Sequence, residues 1–286
     1  MRYLLAIDSS DQAFDAVRVL THLSPCEHTI LLHAVDVPKA SYPMLDPEAA
    51  QELYRSLELD MREEGKRLLQ RAVTLLSDGV GPVESRLELG SPAEVIVSMA
   101  QRERIDLIIM GARGLTPTKE FVFGSVSHGV VTHAPGAVLT VPAPMPALRN
   151  ILIAVAGLQD AGTVIRFFMH KPFNQPVNVH VLTVLPLPLG QVKYTAAFEP
   201  MRDTALKSAQ RFAEDIAGRL STLQCCAIPI TKIGPPAATI LLYAEELQAD
   251  LIVVGSHTQQ PIARFLLGSV SHKILHTSHR PVLTLR

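Results

Sequence analysis

Gly124-Ser125-Val126-Ser127-His128 recurs without change as Gly268-Ser269-Val270-Ser271-His272, and this repeat decides how the whole chain is read. Working outward, Ile105-Asp106-Leu107-Ile108-Ile109-Met110-Gly111 matches Ala249-Asp250-Leu251-Ile252-Val253-Val254-Gly255, and Val138-Leu139-Thr140 matches Val282-Leu283-Thr284. Leu4-Leu5-Ala6-Ile7 returns as Leu152-Ile153-Ala154-Val155, and Ser91-Pro92-Ala93 as Pro235-Pro236-Ala237. The C-terminal matches keep one constant offset, so insertions and deletions between the copies fall in earlier loops. A fixed period of this kind marks one structural unit used twice. Pro142-Ala143-Pro144-Met145-Pro146 lies between the copies, and its prolines withhold backbone donors and favour an extended linker. Residues 1–144 are therefore read as a first domain and 145–286 as a second.

Within each copy short apolar runs alternate with helical stretches. In the first copy the runs are Tyr3–Ile7, Thr29–Val35, Val83–Leu87, Ile105–Met110 and Ala137–Val141, rich in Leu, Ile and Val as strands buried on both faces should be. Residues 11–23, 46–77, 91–103 and 124–133 fall between them with helical patterning. The longest helical stretch opens Asp46-Pro47-Glu48, an N-cap followed by proline in the first turn, and carries Leu53, Leu57, Met61, Leu68, Ala72 and Leu75 along one face. Helices between successive strands imply right-handed crossovers and parallel pairing. The expected fold is α/β: two tandem doubly wound, Rossmann-like domains, each a five-stranded mostly parallel sheet with helices on both faces.

Composition narrows the function classes. Hydrophobic residues make up 48% of the 286 and charged residues 19%, which fits a folded chain with a large core and excludes disorder. The net charge of −1 supplies no global basic field, so no nucleic-acid partner is expected. The opening MRYLLAIDSS is too short for a secretory core, and no apolar run approaches the roughly 18–20 residues of a membrane span. The expectation is a cytoplasmic protein with no membrane partner. Cys26, Cys225 and Cys226 form no metal or redox spacing and are read as reduced core thiols. Acidic residues outnumber basic ones in the first copy and the reverse holds in the second, which would help the copies pair, although ordinary surface drift explains the same counts.

In doubly wound sheets ligands bind at the carboxyl ends of the strands, where strand order reverses. There the first copy places Asp8 after its first strand, Val35 at the end of its second, and Met110-Gly111-Ala112-Arg113-Gly114 at the end of its fourth. Gly124-Ser125 then opens the last helix, giving the string G-x-x-G-x9-G-S. Gly111 and Gly114 let backbone N–H groups approach an anion without Cβ obstruction. Ser125 adds a hydroxyl and the unpaired N–H groups of a helix start, with a dipole worth roughly 0.3–1 kcal/mol toward negative charge. Glycines that merely make tight turns and a serine that merely caps a helix would leave the same string. No Walker lysine loop, G-x-G-x-x-G turn or G-x-S-x-G elbow is present, and the loop offers no obvious general base, so no catalytic residue is assigned.

The string and its strand–loop–helix setting resemble the universal stress protein family, whose ATP-binding signature is G-x-x-G-x9-G-[ST], and the likeness spans essentially the whole chain. The resemblance implies ATP as ligand, with or without Mg2+. By it Asp8 bonds the ribose, Val35 and Met110 flank or bond the adenine, and Gly111, Gly114, Gly124, Ser125 and Val126 cradle the phosphates. Arg113 and Lys119 would add positive charge. It also implies a stress-response role exercised through nucleotide-dependent conformation or an unidentified protein partner, with little or no hydrolysis. A nucleotide-independent interaction scaffold and a slow ATPase are the alternatives. Family members commonly dimerise through the last strand, so the two copies are expected to form an internal pseudo-dimer, and a homodimer of the chain is plausible.

The second copy departs from the signature. Ala156 replaces the aspartate and Thr258 the second glycine, while Gly255, Gly268, Ser269 and Val270 remain, so its site is expected to be empty or altered. His272, His276 and His279 have spacings that would gather ligands on one helical face, but no acidic partner accompanies them and no metal site is assigned. Pro38–Asp46 and Pro186–Pro200 each follow a second strand, and either is a lid or a plain connection.

Overall fold

Five apolar runs of the first copy become strands: β1 (Arg2–Ala6), β2 (His28–Val35), β3 (Val83–Leu89), β4 (Leu107–Gly111) and β5 (Ala137–Val141). A computed structural model describes residues 1–38, 46–76, 79–114, 123–186, 198–223, 225–256 and 267–286. They divide into two units, Met1–Thr21 with Pro25–Pro144 and His22–Ser24 with Met145–Arg286. In the first unit the strand order is β3-β2-β1-β4-β5, with every pairing parallel. Every residue of β4 and β5 is buried, as strands covered on both faces must be. β3 is instead an edge blunted by charge, its Arg86 holding Glu84 at 2.7 Å and Glu103 at 2.6 Å.

The connecting helices are α1 (Asp11–Arg18), α2 (Pro47–Thr74), α3 (Pro92–Arg102) and α4 (Ser125–His133). Asp46 caps α2 as its sequence requires, one carboxylate oxygen accepting from the amides of Glu48 and Ala49. The apolar face expected along all of α2 is buried only in its C-terminal half, through Gly65, Leu69 and Ala72, whereas Leu53 is 44% exposed. The cause is length: 28 helical residues span about 42 Å, well beyond the roughly 25 Å of an eight-residue strand.

The second unit repeats the plan with β6 (Asn150–Ala154), α5 (Leu158–Met169), β7 (Val177–Leu185), α6 (Phe198–Ser221), β8 (Cys225–Ile233), α7 (Pro236–Glu246), β9 (Leu251–Gly255), α8 (Ser269–Thr277) and β10 (Val282–Leu285). Its order, β8-β7-β6-β9-β10, is the same and again parallel. The repeated aspartates earn their place in both units by stitching the fourth strand to the first. Asp106 Oδ2 accepts from the Arg2 amide at 2.7 Å, and Asp250 Oδ2 from the amides of Arg149 and Asn150 at 2.7 and 2.9 Å. Among the described residues no helix is long and apolar enough to cross a membrane. All three cysteines are free, but the reading of them as core thiols holds for Cys26 alone. Cys226 is exposed on β8, which is paired with β7 on one side, and Cys225 is half-buried, its thiol pKa raised by desolvation.

Two helical glycines make opposite demands. At Gly65 in α2 a Cβ would stand 2.5 Å from His33 Cδ2 and 2.8 Å from Leu87 Cδ1, while at Gly218 in α6 it would meet nothing within 4 Å. Gly65→Ala is expected to destabilise the chain by about 1–3 kcal/mol through overpacking, and Gly218→Ala to stabilise it by about 0.5–1 kcal/mol through helix propensity. Urea denaturation of the two variants checks both signs.

Candidate functional site

β1, β2 and β4 end side by side at the point where strand order reverses, and the loops leaving them enclose a cavity of about 600 Å3. That volume suits a small organic ligand, for which pockets of about 300–1,000 Å3 are usual. Asp8 and Ser9 follow β1 at its rim; His33, Ala34 and Asp36 come from the end of β2; Met110 and Gly111 end β4. Arg113, Gly114 and the first residues of α4, Ser125 to Ser127, close one end with Gly124. Apolar side chains of Leu32, Met61, Leu68, Ile96 and Phe123 form the walls, so α2 and α3 contribute to the cavity beside the loops. Of the residues named from the sequence, Asp8, Met110, Gly111, Arg113, Gly114, Gly124, Ser125 and Val126 line this one space. Val35 does not: it is 1% exposed, and its carbonyl accepts from the Gly90 amide at 3.0 Å. Lys119, like most of Pro38–Asp46 and Pro186–Pro200, lies outside the described residues.

One end of the cavity is built from a helix start. α4 begins at Gly124, whose φ of −66° and ψ of 148° give an extended N-cap with no side chain to cap the first turn. Among the described residues no hydrogen bond reaches the N–H groups of Ser125 and Val126, which are the orphan donors of any helix start. The Gly124 amide donates to Ala112 O at 2.9 Å, and a Cβ on Gly124 would stand 3.3 Å from Arg113 Cα, so the loop after β4 is pressed against the helix start. Opposite them, Asp8 Oδ1 accepts from both the amide and the hydroxyl of Ser10, the residue that caps α1. This fixes the carboxylate with Oδ2 beside Gly114, 3.4 Å from where a Cβ would be.

Three contacts that single-residue reasoning missed hold this end in place. Ser127 Oγ donates to Gly111 O at 2.9 Å in a buried bond that ties α4 to the end of β4. Gln12 Oε1 accepts the Arg113 amide at 2.9 Å, so one loop donor is already engaged within the protein. His33 Nδ1 donates to Ile7 O at 2.7 Å, immediately before Asp8. Gly111 also has a reason of its own: a Cβ there would meet Gln12 Cβ at 3.1 Å and the Ala13 amide nitrogen at 3.2 Å, so a side chain would have to push α1 back by a few tenths of an ångström whatever the loop binds. The signal for Ser127 was present in the repeated Ser-Val-Ser, of which the first serine alone had been given a role.

The second copy keeps the framework. Gly268 starts α8 with φ −60° and ψ 146°, its amide donates to Ser256 O at 3.3 Å, and Ser271 Oγ donates to Gly255 O. What changes is the charge around it: Ala156 stands where the first copy has Asp8, and the Asp160 carboxylate, from the first turn of α5, accepts from the Ala156 amide at 3.2 Å. Thr258 lies outside the described residues.

Fold and site together define a class, a doubly wound α/β domain used twice, with a cavity at the strand ends that is walled by apolar side chains and closed by the start of a helix. The chain belongs to the universal stress protein family, whose model matches residues 1–142 and again 147–286. A universal stress protein of Mycobacterium tuberculosis is 24% identical over 276 residues, covering 90% of this chain and 86% of the relative. A putative universal stress protein of Staphylococcus haemolyticus is 32% identical over 142 residues, covering 48% of this chain and 82% of the relative. Among solved structures, a universal stress protein from Archaeoglobus fulgidus aligns with a TM-score of 0.66 at 18% identity, covering 100% of this chain and 98% of the other, a likeness of fold.

The two serines of the helix start separate folding from binding. Ser127→Ala is expected to cost about 1 kcal/mol of stability by removing a buried hydrogen bond. Ser125→Ala, which removes no bond among the described residues, should stay within about 0.5 kcal/mol of the parent. Chemical denaturation of both variants measures the difference.

Proposed function

We propose that the first unit binds ATP, and that occupancy rather than turnover is the output. The observation that carries this reading is the pair of N–H groups on Ser125 and Val126, which no hydrogen bond reaches among the described residues, at the edge of a cavity with apolar walls. Phosphate oxygens accept from those amides and lie on the positive end of the α4 dipole, a combination that favours anions without any lysine. Gly114 leaves room beside Asp8 Oδ2, which is an acceptor suited to a ribose hydroxyl. The purine packs against the apolar walls, where Met110 and Ile96 stand. Among the described lining residues Asp8, Asp36 and Glu64 outnumber Arg113, which supports Mg2+ as the companion that offsets the phosphate charge.

A phosphate chain bonded to Gly114 on one side and to Ser125 and Val126 on the other fastens the end of β4 to α4. That fastening is the conformational signal, and a protein partner in a stress response is its reader. The same reading takes the chain to be cytoplasmic and its assembly to be an internal pseudo-dimer of the two copies with a homodimer of the whole, as the family resemblance implies. The second copy holds no ATP.

Isothermal titration with ATP and Mg2+ tests this directly. The expected result is one nucleotide per chain, with Asp8→Ala, Gly114→Ala and Gly124→Ala each weakening binding at least tenfold. Unchanged affinity in all three refutes the assigned pocket, and a folded chain that binds no nucleotide is an interaction scaffold instead.

A further inference from the structure

One ring in the wall of the first cavity is held in a single tautomer. His33 Nδ1 lies 2.7 Å from Ile7 O, and because a carbonyl oxygen only accepts, the hydrogen is on Nδ1. In the neutral ring Nε2 then carries a lone pair, and among the described residues no hydrogen bond reaches it. Turning the ring over would take the N–H away from Ile7 O, so the same bond sets the orientation. On its Cδ2–Nε2 edge the ring lies against the backbone of α2, where a Cβ on Gly65 would stand 2.5 Å from Cδ2 and 3.1 Å from Nε2.

His33 is half-buried and lines the cavity. Its polar companions on that side are Asp36, just beyond β2, and Glu64 of α2, both exposed. Among the described lining residues, the polar side chains from β2 and α2 thus present acceptors and no spare donor. The helix start of α4 is the opposite, since the Ser125 and Val126 amides are donors. A ligand that spans the cavity meets donors at one end and acceptors along the β2–α2 side.

In the nucleotide reading of this site, on which the present inference rests, the phosphates take the helix start and the ribose takes Asp8 beside Gly114. The base is left for the acceptor side. Asp36 and Glu64 stand in water, where a bond to the base competes with hydration and discriminates little, whereas His33 is partly desolvated and fixed in direction. We propose that His33 selects the base: Nε2 accepts from the 6-amino group of adenine, so that a purine with a 6-oxo group, or with no group at position 6, binds more weakly. An oxo oxygen sets acceptor against acceptor, and a site built for a donor loses its bond when the donor is missing. The second copy has no such reader. Its β7 pairs with β6 in the register that β2 keeps with β1, which puts Thr183 in the place of His33, and a hydroxyl both donates and accepts.

Titration of the full chain with ATP, ITP and purine riboside triphosphate reads the selection. ATP is expected to bind at least about tenfold more tightly than either of the others. His33→Asn keeps an N–H where Nδ1 stands, and with it the bond to Ile7 O, but lacks Nε2. In that variant ATP should weaken about tenfold, and the three triphosphates should bind within about threefold of one another. The 15N NMR spectrum of the histidine rings of the parent chain, taken at about pH 8, reads the same contact without a substitution. It should show His33 protonated on Nδ1, with the Nε2 resonance moving upfield on addition of ATP and not of ITP. ITP or purine riboside triphosphate binding as tightly as ATP, a preference for ATP that survives in folded His33→Asn, or an Nε2 that is protonated or unmoved by ATP would each overturn the role of His33 while leaving nucleotide binding intact. A parent chain that binds none of the three triphosphates overturns the nucleotide reading, and this inference with it.

Discussion

A helix cannot satisfy the N–H groups of its own first turn, and this constraint organises the first unit. Most helix starts meet it with a serine, threonine or aspartate at the N-cap; α4 has Gly124 there, with no side chain to turn back. Glycine also suits the surroundings, because the loop after β4 comes within 3.3 Å of the place a Cβ would fill. The same residue thus brings the loop in and leaves the helix start uncapped. Those donors need an acceptor, and the cavity beside them is where one fits.

The neighbouring contacts read as the means of keeping that uncapped start in one place. Ser127 anchors α4 to the Gly111 carbonyl, Gln12 anchors the loop through the Arg113 amide, and Ser10 orients Asp8 while capping α1. Each bond is modest in water-exposed settings, but all join elements that meet at the strand ends, so they position donors rather than merely add stability. The parallel sheet supplies the rest. Five strands pointing the same way bring every loop of the carboxyl side to one rim, which is why residues as distant in sequence as Asp8, Asp36, Met110 and Ser125 share one space.

Much of this was legible in the sequence, for reasons that differ by feature. The two copies, their strands and the strand–helix alternation follow from period and from short runs rich in Leu, Ile and Val. The start of α4 was legible because glycine followed by serine after a β-strand loop has few other uses. Less visible were features that depend on which elements meet. Nothing about Gly65 in a helix announces that His33 lies across it, and nothing about Gln12 announces the Arg113 amide. The apolar stripe of α2 runs along one face in the sequence but is buried only toward its C-terminal half, because sequence periodicity gives the face of a helix and not where the sheet beneath it stops. Val35 was placed at the cavity from its position at a strand end, yet it is buried with its carbonyl engaged, and Ala34 and Asp36 on either side line the wall.

The two copies differ at few of the described residues around their helix starts. The helix start and the serine tie are common to both, while Ala156 stands in the second where the first has Asp8. The most direct measurement of the account is the amide NMR spectrum of the chain titrated with ATP and, separately, with adenosine. The account predicts that the Ser125 and Val126 amides shift strongly downfield with ATP and hardly at all with adenosine, with Ser269 and Val270 unmoved by either. Shifts at Ser125 and Val126 of equal size for both ligands, or absent with bound ATP, would contradict it.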